Sequence, residues 1–151
     1  MPSSVRVFLD TSAVFSAVYS EAGGARRILK LGEAGLLDLR VGPSVLAEAE
    51  AVINRKAPTI AAHLVLLLDR SQVVVGREAS SADLDAALAI VDYVPDAQIL
   101  AEALASEAGY LVSLDRQHLL GNPRADLLPF PIGTAGDFLA WYRRRLGQQR
   151  L

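Results

Sequence analysis

The sequence predicts an α/β fold of three layers, with helices on both faces of a central, mostly parallel sheet of four to five strands. Three observations carry that prediction. Short apolar runs of strand length alternate with longer segments whose apolar residues recur at helical spacing, and this alternation builds parallel strands under right-handed crossovers. Gly, Pro and helix-capping residues fall between those runs. No fixed-period repeat, low-complexity tract or Pro/Gly/Ser linker divides the 151 residues, so residues 1–151 read as one domain.

The elements follow in order. Val5–Asp10 is a short apolar run, a buried first strand. Thr11 and Ser12 are natural caps for the helix after it; Gly23-Gly24 interrupts, and a second helix runs to about Gly35. Leu36–Val41 is the second strand, ended by Gly42-Pro43. Ser44 can cap a helix through about Lys56, with Val45, Leu46, Ala49, Val52 and Ile53 on one face. After Pro58, Ile60, Leu64, Leu67 and Leu68 form another helical stripe, and Gln72–Val75 is the third strand. Ser80 with Asp83 has capping-box spacing ahead of Leu84, Leu88 and Val91. Pro95-Asp96 opens the next helix, and Tyr110–Leu114 is the fourth strand. Leu127–Phe130 reads as a fifth, an edge at best because prolines flank it. Thr134 with Asp137 repeats the capping-box spacing before Phe138, Leu139, Trp141 and Tyr142.

Composition narrows the chemistry. Hydrophobic residues make up 52%, enough for a real core. Cysteine is absent, which excludes disulfides and thiolate metal sites and suits a reducing compartment. The N-terminal residues lack the apolar stretch of a secretory signal, and no apolar run approaches the ~18 residues of a membrane span, so a cytoplasmic protein without membrane attachment is expected. Net charge is −2, from 15 Lys plus Arg against 17 Asp plus Glu. Bulk charge therefore does not draw this chain to a polyanion; a local patch or bound metal must. Residues 141–151 hold one such patch, Arg143, Arg144, Arg145 and Arg150 with no acid, which reads equally well as a solvated helix end.

In a parallel sheet, ligands bind beyond the carboxyl ends of the strands, and that rule selects the acids to consider. Asp10 ends the first strand and Asp115 follows the fourth. Asp96, in a first helical turn, points on a helical wheel with Ile99, Leu100 and Ala103 towards the sheet. Glu107 shares that face but lies roughly 16 Å further along the helix. Glu48 and Glu50 each flank the apolar face of their helix at about 100°, on opposite sides, and the wheel does not choose between them. Each acid alone could be a cap or turn residue. Together, acids from distant parts of the chain converge on one edge, where their like charges raise one another's pKa. A hard divalent cation relieves that repulsion through oxygen ligands, and one or two such ions suit phosphodiester hydrolysis. Neutralising any one of these acids is expected to leave the folded chain as stable as before, or more so.

These motifs give the chain a family likeness. Val7-Phe8-Leu9-Asp10-Thr11-Ser12 resembles the opening of a PIN domain, an apolar strand ending in Asp-Thr/Ser. Ser44-Val45-Leu46-Ala47-Glu48, followed by Val52-Ile53, resembles the second motif and selects Glu48 over Glu50. Asp96-Ala97-Gln98-Ile99-Leu100-Ala101 resembles the third, and Ser113-Leu114-Asp115-Arg116-Gln117-His118 the fourth, in the form found among VapC-type toxins. The likeness runs from Val5 to about Leu139. It implies a ribonuclease dependent on Mg²⁺ or Mn²⁺ that cuts single-stranded RNA or a structured loop. It also implies a toxin held by a small antitoxin, and a homodimer.

On that likeness Asp10, Asp96 and Asp115 hold the metal, Glu48 binds it directly or through water, and all four are catalytic. Ser12 and Ser113 orient the carboxylates; Arg116 and His118 are candidates for contacting RNA phosphates. Hydrolysis would leave a 5′-phosphate and a 3′-hydroxyl. The competing expectation is a PIN-fold module that binds RNA or protein with a vestigial metal site. Other hydrolases fit less well: Ser12 stands where a haloacid-dehalogenase phosphatase has its second Asp, and neither a Gly-x-Ser-x-Gly elbow nor a glycine-rich nucleotide loop occurs.

Overall fold

The structure is a computed structural model that describes residues 4–149. β1 (Val5–Leu9) leads into α1 (Thr11–Tyr19) and α2 (Gly24–Glu33), and β2 (Leu37–Val41) into α3 (Pro43–Lys56). A 3-10 turn at Pro58–Ile60 precedes α4 (Ala61–Arg70), β3 (Val74–Val75), α5 (Ser81–Leu88) and α6 (Val94–Ala105). β4 (Tyr110–Val112), a second 3-10 turn (Pro123–Leu127), β5 (Ile132–Gly133) and α7 (Ala135–Gln149) follow. The five strands form one sheet in the order β3-β2-β1-β4-β5, and every pairing is parallel. The α/β architecture expected from the alternation of runs is therefore present, at the upper end of the expected strand count.

The central strand is apolar throughout because helices cover both of its faces. Val7, Phe8 and Leu9 are buried, and Val7 sits between Leu39 of β2 and Tyr110 of β4. From β1 the chain steps outward to β2 and β3, then returns to the other side of β1 for β4 and β5. The winding direction thus reverses between β1 and β4. At such a point the loops leaving the two strands part, and a crevice opens at their carboxyl ends. Asp10 leaves β1 there, and Ser113 to Asp115 leave β4.

Several boundaries differ from expectation for local reasons. The fifth strand is Ile132–Gly133, whereas Leu127 ends a 3-10 turn and is 75% exposed. Pro129 and Pro131 cannot donate to a ladder; pairing starts at the carbonyl of Pro131, which accepts from Leu111, and continues where N–H groups return. The third strand shrinks to Val74–Val75 because Gln72 adopts the left-handed region (φ 59°) in the turn that closes α4. α1 is capped by Asp10, not by Thr11 or Ser12, since Asp10 accepts from the backbone of Ala13. α3 starts at Pro43 after Gly42, so Ser44 lies inside the first turn and is not the cap. Both capping boxes are formed, Ser80 with Asp83 and Thr134 with Asp137.

Candidate active site

Two serines tie the ends of β1 and β4 together around Asp10. Its Oδ1 accepts from Ser12 Oγ at 2.6 Å and from Ala13 N at 2.9 Å, while Oδ2 accepts from Ser113 Oγ across 103 residues of chain. The serines in turn accept from β4's outgoing loop: Leu114 N reaches Ser12 Oγ and Asp115 N reaches Ser113 Oγ, each at 3.0 Å. Asp10 is buried. Burial pushes its carboxyl up, the bonds from Ser113, Ser12 and Ala13 pull it back, and the charge of Asp115 adds to the rise.

Asp96, in the first turn of α6, faces Asp115 from across the crevice. Burial first, then the nearby Asp115 carboxylate, raise Asp96 to about 6; His118 opposes the rise and Asp10 adds to it. Asp115 goes the other way, against the expectation that all these carboxylates would be raised. Burial pulls it up, but the backbone N–H groups of His118 and Gln117 donate to its Oδ1 at 3.1 and 2.9 Å and hold it below the usual carboxylate range.

His118 completes the group. Its Nδ1 lies 2.8 Å from Asp96 Oδ2 and 3.4 Å from Asp115 Oδ2, and one ligand atom from each of Asp96, Asp115 and His118 falls within 4.8 Å of the others. Tyr93 stacks on the imidazole, ring centroids 4.8 Å apart and 13° from parallel. Asp96 Oδ2 is buried and has no hydrogen-bond partner. A buried carboxylate oxygen without a donor is costly. Here it is aimed at a second carboxylate and an imidazole, a donor set that fits a divalent cation.

The remaining expected residues take different places. Glu48 is exposed on α3 and accepts from Thr11 Oγ1 at 3.2 Å, which puts it on the same edge beside Asp10 but outside the Asp96–Asp115–His118 group. Glu50 makes no side-chain hydrogen bond or ion pair among the described residues. Arg116 and His118 line a groove of about 650 Å³ that continues past Tyr93 to Arg124. The Arg143–Arg145 cluster is remote: Arg145 lies over Trp141 at 4.8 Å and borders a hollow with Ser4, Val5 and Gly109, at the amino ends of the strands. Arg150 lies outside the described residues.

One buried acid escaped the sequence reading. Glu102 on α6 is 1% exposed and accepts from Ser44 N at 2.9 Å, Ser44 Oγ at 2.5 Å and Gln98 Nε2 at 3.0 Å. It supplies, from another element, the cap that α3 lacks locally, and so fixes the helix that carries Glu48. A Cβ at Gly42 would collide with its carboxylate. The available signal was an acid in the midst of the apolar run Leu100-Ala101-Glu102-Ala103-Leu104.

Comparison with known proteins adds three findings. A family model described as "PIN domain" matches residues 6–117. No curated protein sequence matches the chain significantly. Among solved structures, the fold is similar to VapBC2 from Rickettsia felis, bound to a DNA fragment from its promoter, with a TM-score of 0.59 at 17% identity over 85% of this chain and 97% of that one. It is also similar to Mycobacterium tuberculosis VapC20, a sarcin-ricin-loop-cleaving toxin, with a TM-score of 0.53 at 16% identity over 74% and 92%.

Proposed function

Since the chain belongs to the PIN-domain family, we propose that it is a metal-dependent endoribonuclease, the toxin of a toxin–antitoxin pair. The observation that carries this reading is the buried, unpartnered Asp96 Oδ2 facing Asp115 and His118 where the sheet's winding reverses. Asp10, Asp96 and Asp115 are the proposed holders of Mg²⁺ or Mn²⁺. A bound cation of this kind supplies an acidified water for in-line attack and neutralises charge on the phosphate.

The chain's own residues have separable tasks in this proposal. Asp96 and Asp115 would hold the cation between them, and its charge would offset their mutual repulsion. Ser12 and Ser113 hold Asp10 and the β4 loop in a fixed relation, so the carboxylates need not reorganise. Glu48 stands beside Asp10, within reach of the edge through a water. Arg116, which lines the groove, is suited to an RNA phosphate, and the RNA would be a single strand or an exposed loop, the forms that offer unstacked bases. The fold's likeness to VapBC2 supports an antitoxin partner. Among the described residues, no helix is long and apolar enough to cross a membrane.

A PIN-fold binding module is the second reading, favoured by one observation: both Asp10 oxygens are already satisfied internally. Incubating single-stranded RNA with the wild-type chain and with Asp115→Asn, with Mn²⁺ or with EDTA, separates the two. The nuclease cuts only with metal and loses its rate by orders of magnitude in the variant. RNA retained uncut by both proteins under both conditions would establish the module.

A further inference from the structure

We propose that His118 Nδ1 is a direct ligand of the divalent cation, and that it biases the site towards Mn²⁺ and Co²⁺ over Mg²⁺. This rests on the metal-site reading above and adds a nitrogen donor to a centre otherwise built of carboxylates. The first support is the size of the triangle. Metal–ligand bonds of about 2.1 Å at right angles separate neighbouring ligand atoms by about 3 Å. Nδ1 is 2.8 Å from Asp96 Oδ2 and 3.4 Å from Asp115 Oδ2, the dimensions of one corner of an octahedral shell.

Direction is the second support. At 2.8 Å an imidazole N–H on axis would make a strong hydrogen bond to Asp96 Oδ2, yet that oxygen has no hydrogen-bond partner. The acceptor therefore lies well off the ring's N–H axis. Two neighbouring ligands of an octahedral ion stand in that relation, each about 45° off the line from the other to the metal.

The third support is how firmly the residue is held, by its backbone on both sides and by one stacked ring. His118 N donates to Asp115 Oδ1 at 3.1 Å, Asn122 Nδ2 donates to His118 O at 3.0 Å and to Ile90 O at 3.0 Å, and Tyr93 stacks on the imidazole. A side chain placed only to meet a mobile RNA strand has no need of three restraints. Imidazole as a ligand favours the transition metals, whereas Mg²⁺ keeps to oxygen.

Pulsed electron paramagnetic resonance of Mn²⁺ on the purified chain reads the ligand directly. The wild type is expected to show the ¹⁴N coupling of a coordinated imidazole, and His118→Gln to lose it. The preference for Mn²⁺ over Mg²⁺, from competition titrations, should fall about tenfold in His118→Gln. Mn²⁺ that binds in an Asp96-dependent way without nitrogen coupling in the wild type overturns the inference and leaves the proposed function standing. So does coupling that survives in His118→Gln, or an unchanged metal preference. Mn²⁺ binding indifferent to both Asp96→Asn and His118→Gln overturns the inference and the metal site together.

Discussion

Burial raises the carboxyls of both Asp96 and Asp10, but Asp10 accepts three hydrogen bonds whereas Asp96 Oδ2 accepts none, and substitution separates them. Asp96 near pKa 6 keeps a proton in the folded chain that the unfolded chain releases at about pH 4. Its contribution is favourable at low pH and is lost as pH rises from about 4 to about 6. Asp96→Asn is therefore expected to melt higher than wild type in EDTA above pH 6, and to match it near pH 4. Melting curves across pH 4–8 check this; a wild type more stable than Asp96→Asn at pH 7 without metal would contradict it. Asp10 is different, and here the expectation that any acid could be neutralised freely needs correction. Its two oxygens accept three hydrogen bonds, one of them capping α1. Asn offers one acceptor oxygen, so Asp10→Asn should destabilise by about 1 kcal/mol or more. Asp10 and Asp115 were legible because Asp10 directly follows β1 and Asp115 lies in the loop that leaves β4. The role of His118 was not, because its place depends on a turn that Asp115 folds around itself.

α3 and α6 are coupled at the scale of elements through Glu102. Removing that carboxylate in Glu102→Ala leaves Ser44 N–H and its hydroxyl without their buried acceptor, and the expected loss is about 2–3 kcal/mol. Glu102→Gln keeps one acceptor and should lose less; chemical denaturation of both variants orders them, and equal losses would remove the capping account. α6 ends with Glu107 in the left-handed region at φ 55°, where Ala108 N bonds back to Ala103 O. Strand and helix order was readable from periodicity, and both capping boxes from their spacing. The start of α3 was not readable, since its cap lies 58 residues away. Nor was β5, whose position depends on two prolines that end a loop and on β4 beside it, not on its own two residues.

The whole molecule places its site by topology. Reversal of the winding between β1 and β4 parts two loops, and Asp96 and Asp115 meet His118 there with Asp10 nearby. That convergence was legible because acids at strand ends and in a first helical turn have few other places to point in a three-layer α/β fold. The surface was less so: Val65 and Leu66 on α4 are 58% and 60% exposed, and Val74 and Val75 leave the β3 edge apolar. Exposed apolar residues on a helix face, and on an unpaired strand edge, favour a covering chain. The homodimer that the family likeness implies is expected to bury them, and Leu66→Glu should weaken self-association measured by light scattering without changing Mn²⁺ binding.

The central claim is that this edge of the sheet is a cation site, and the melting temperature with and without Mn²⁺ tests it most directly. A ligand that binds only the folded chain stabilises it in proportion to the logarithm of its concentration over its Kd. Wild type should melt higher with each tenfold increase in Mn²⁺, while Asp96→Asn and Asp115→Asn, both folded, should lose most of that rise. A rise of equal size in wild type and in both variants would place the metal elsewhere and contradict the account.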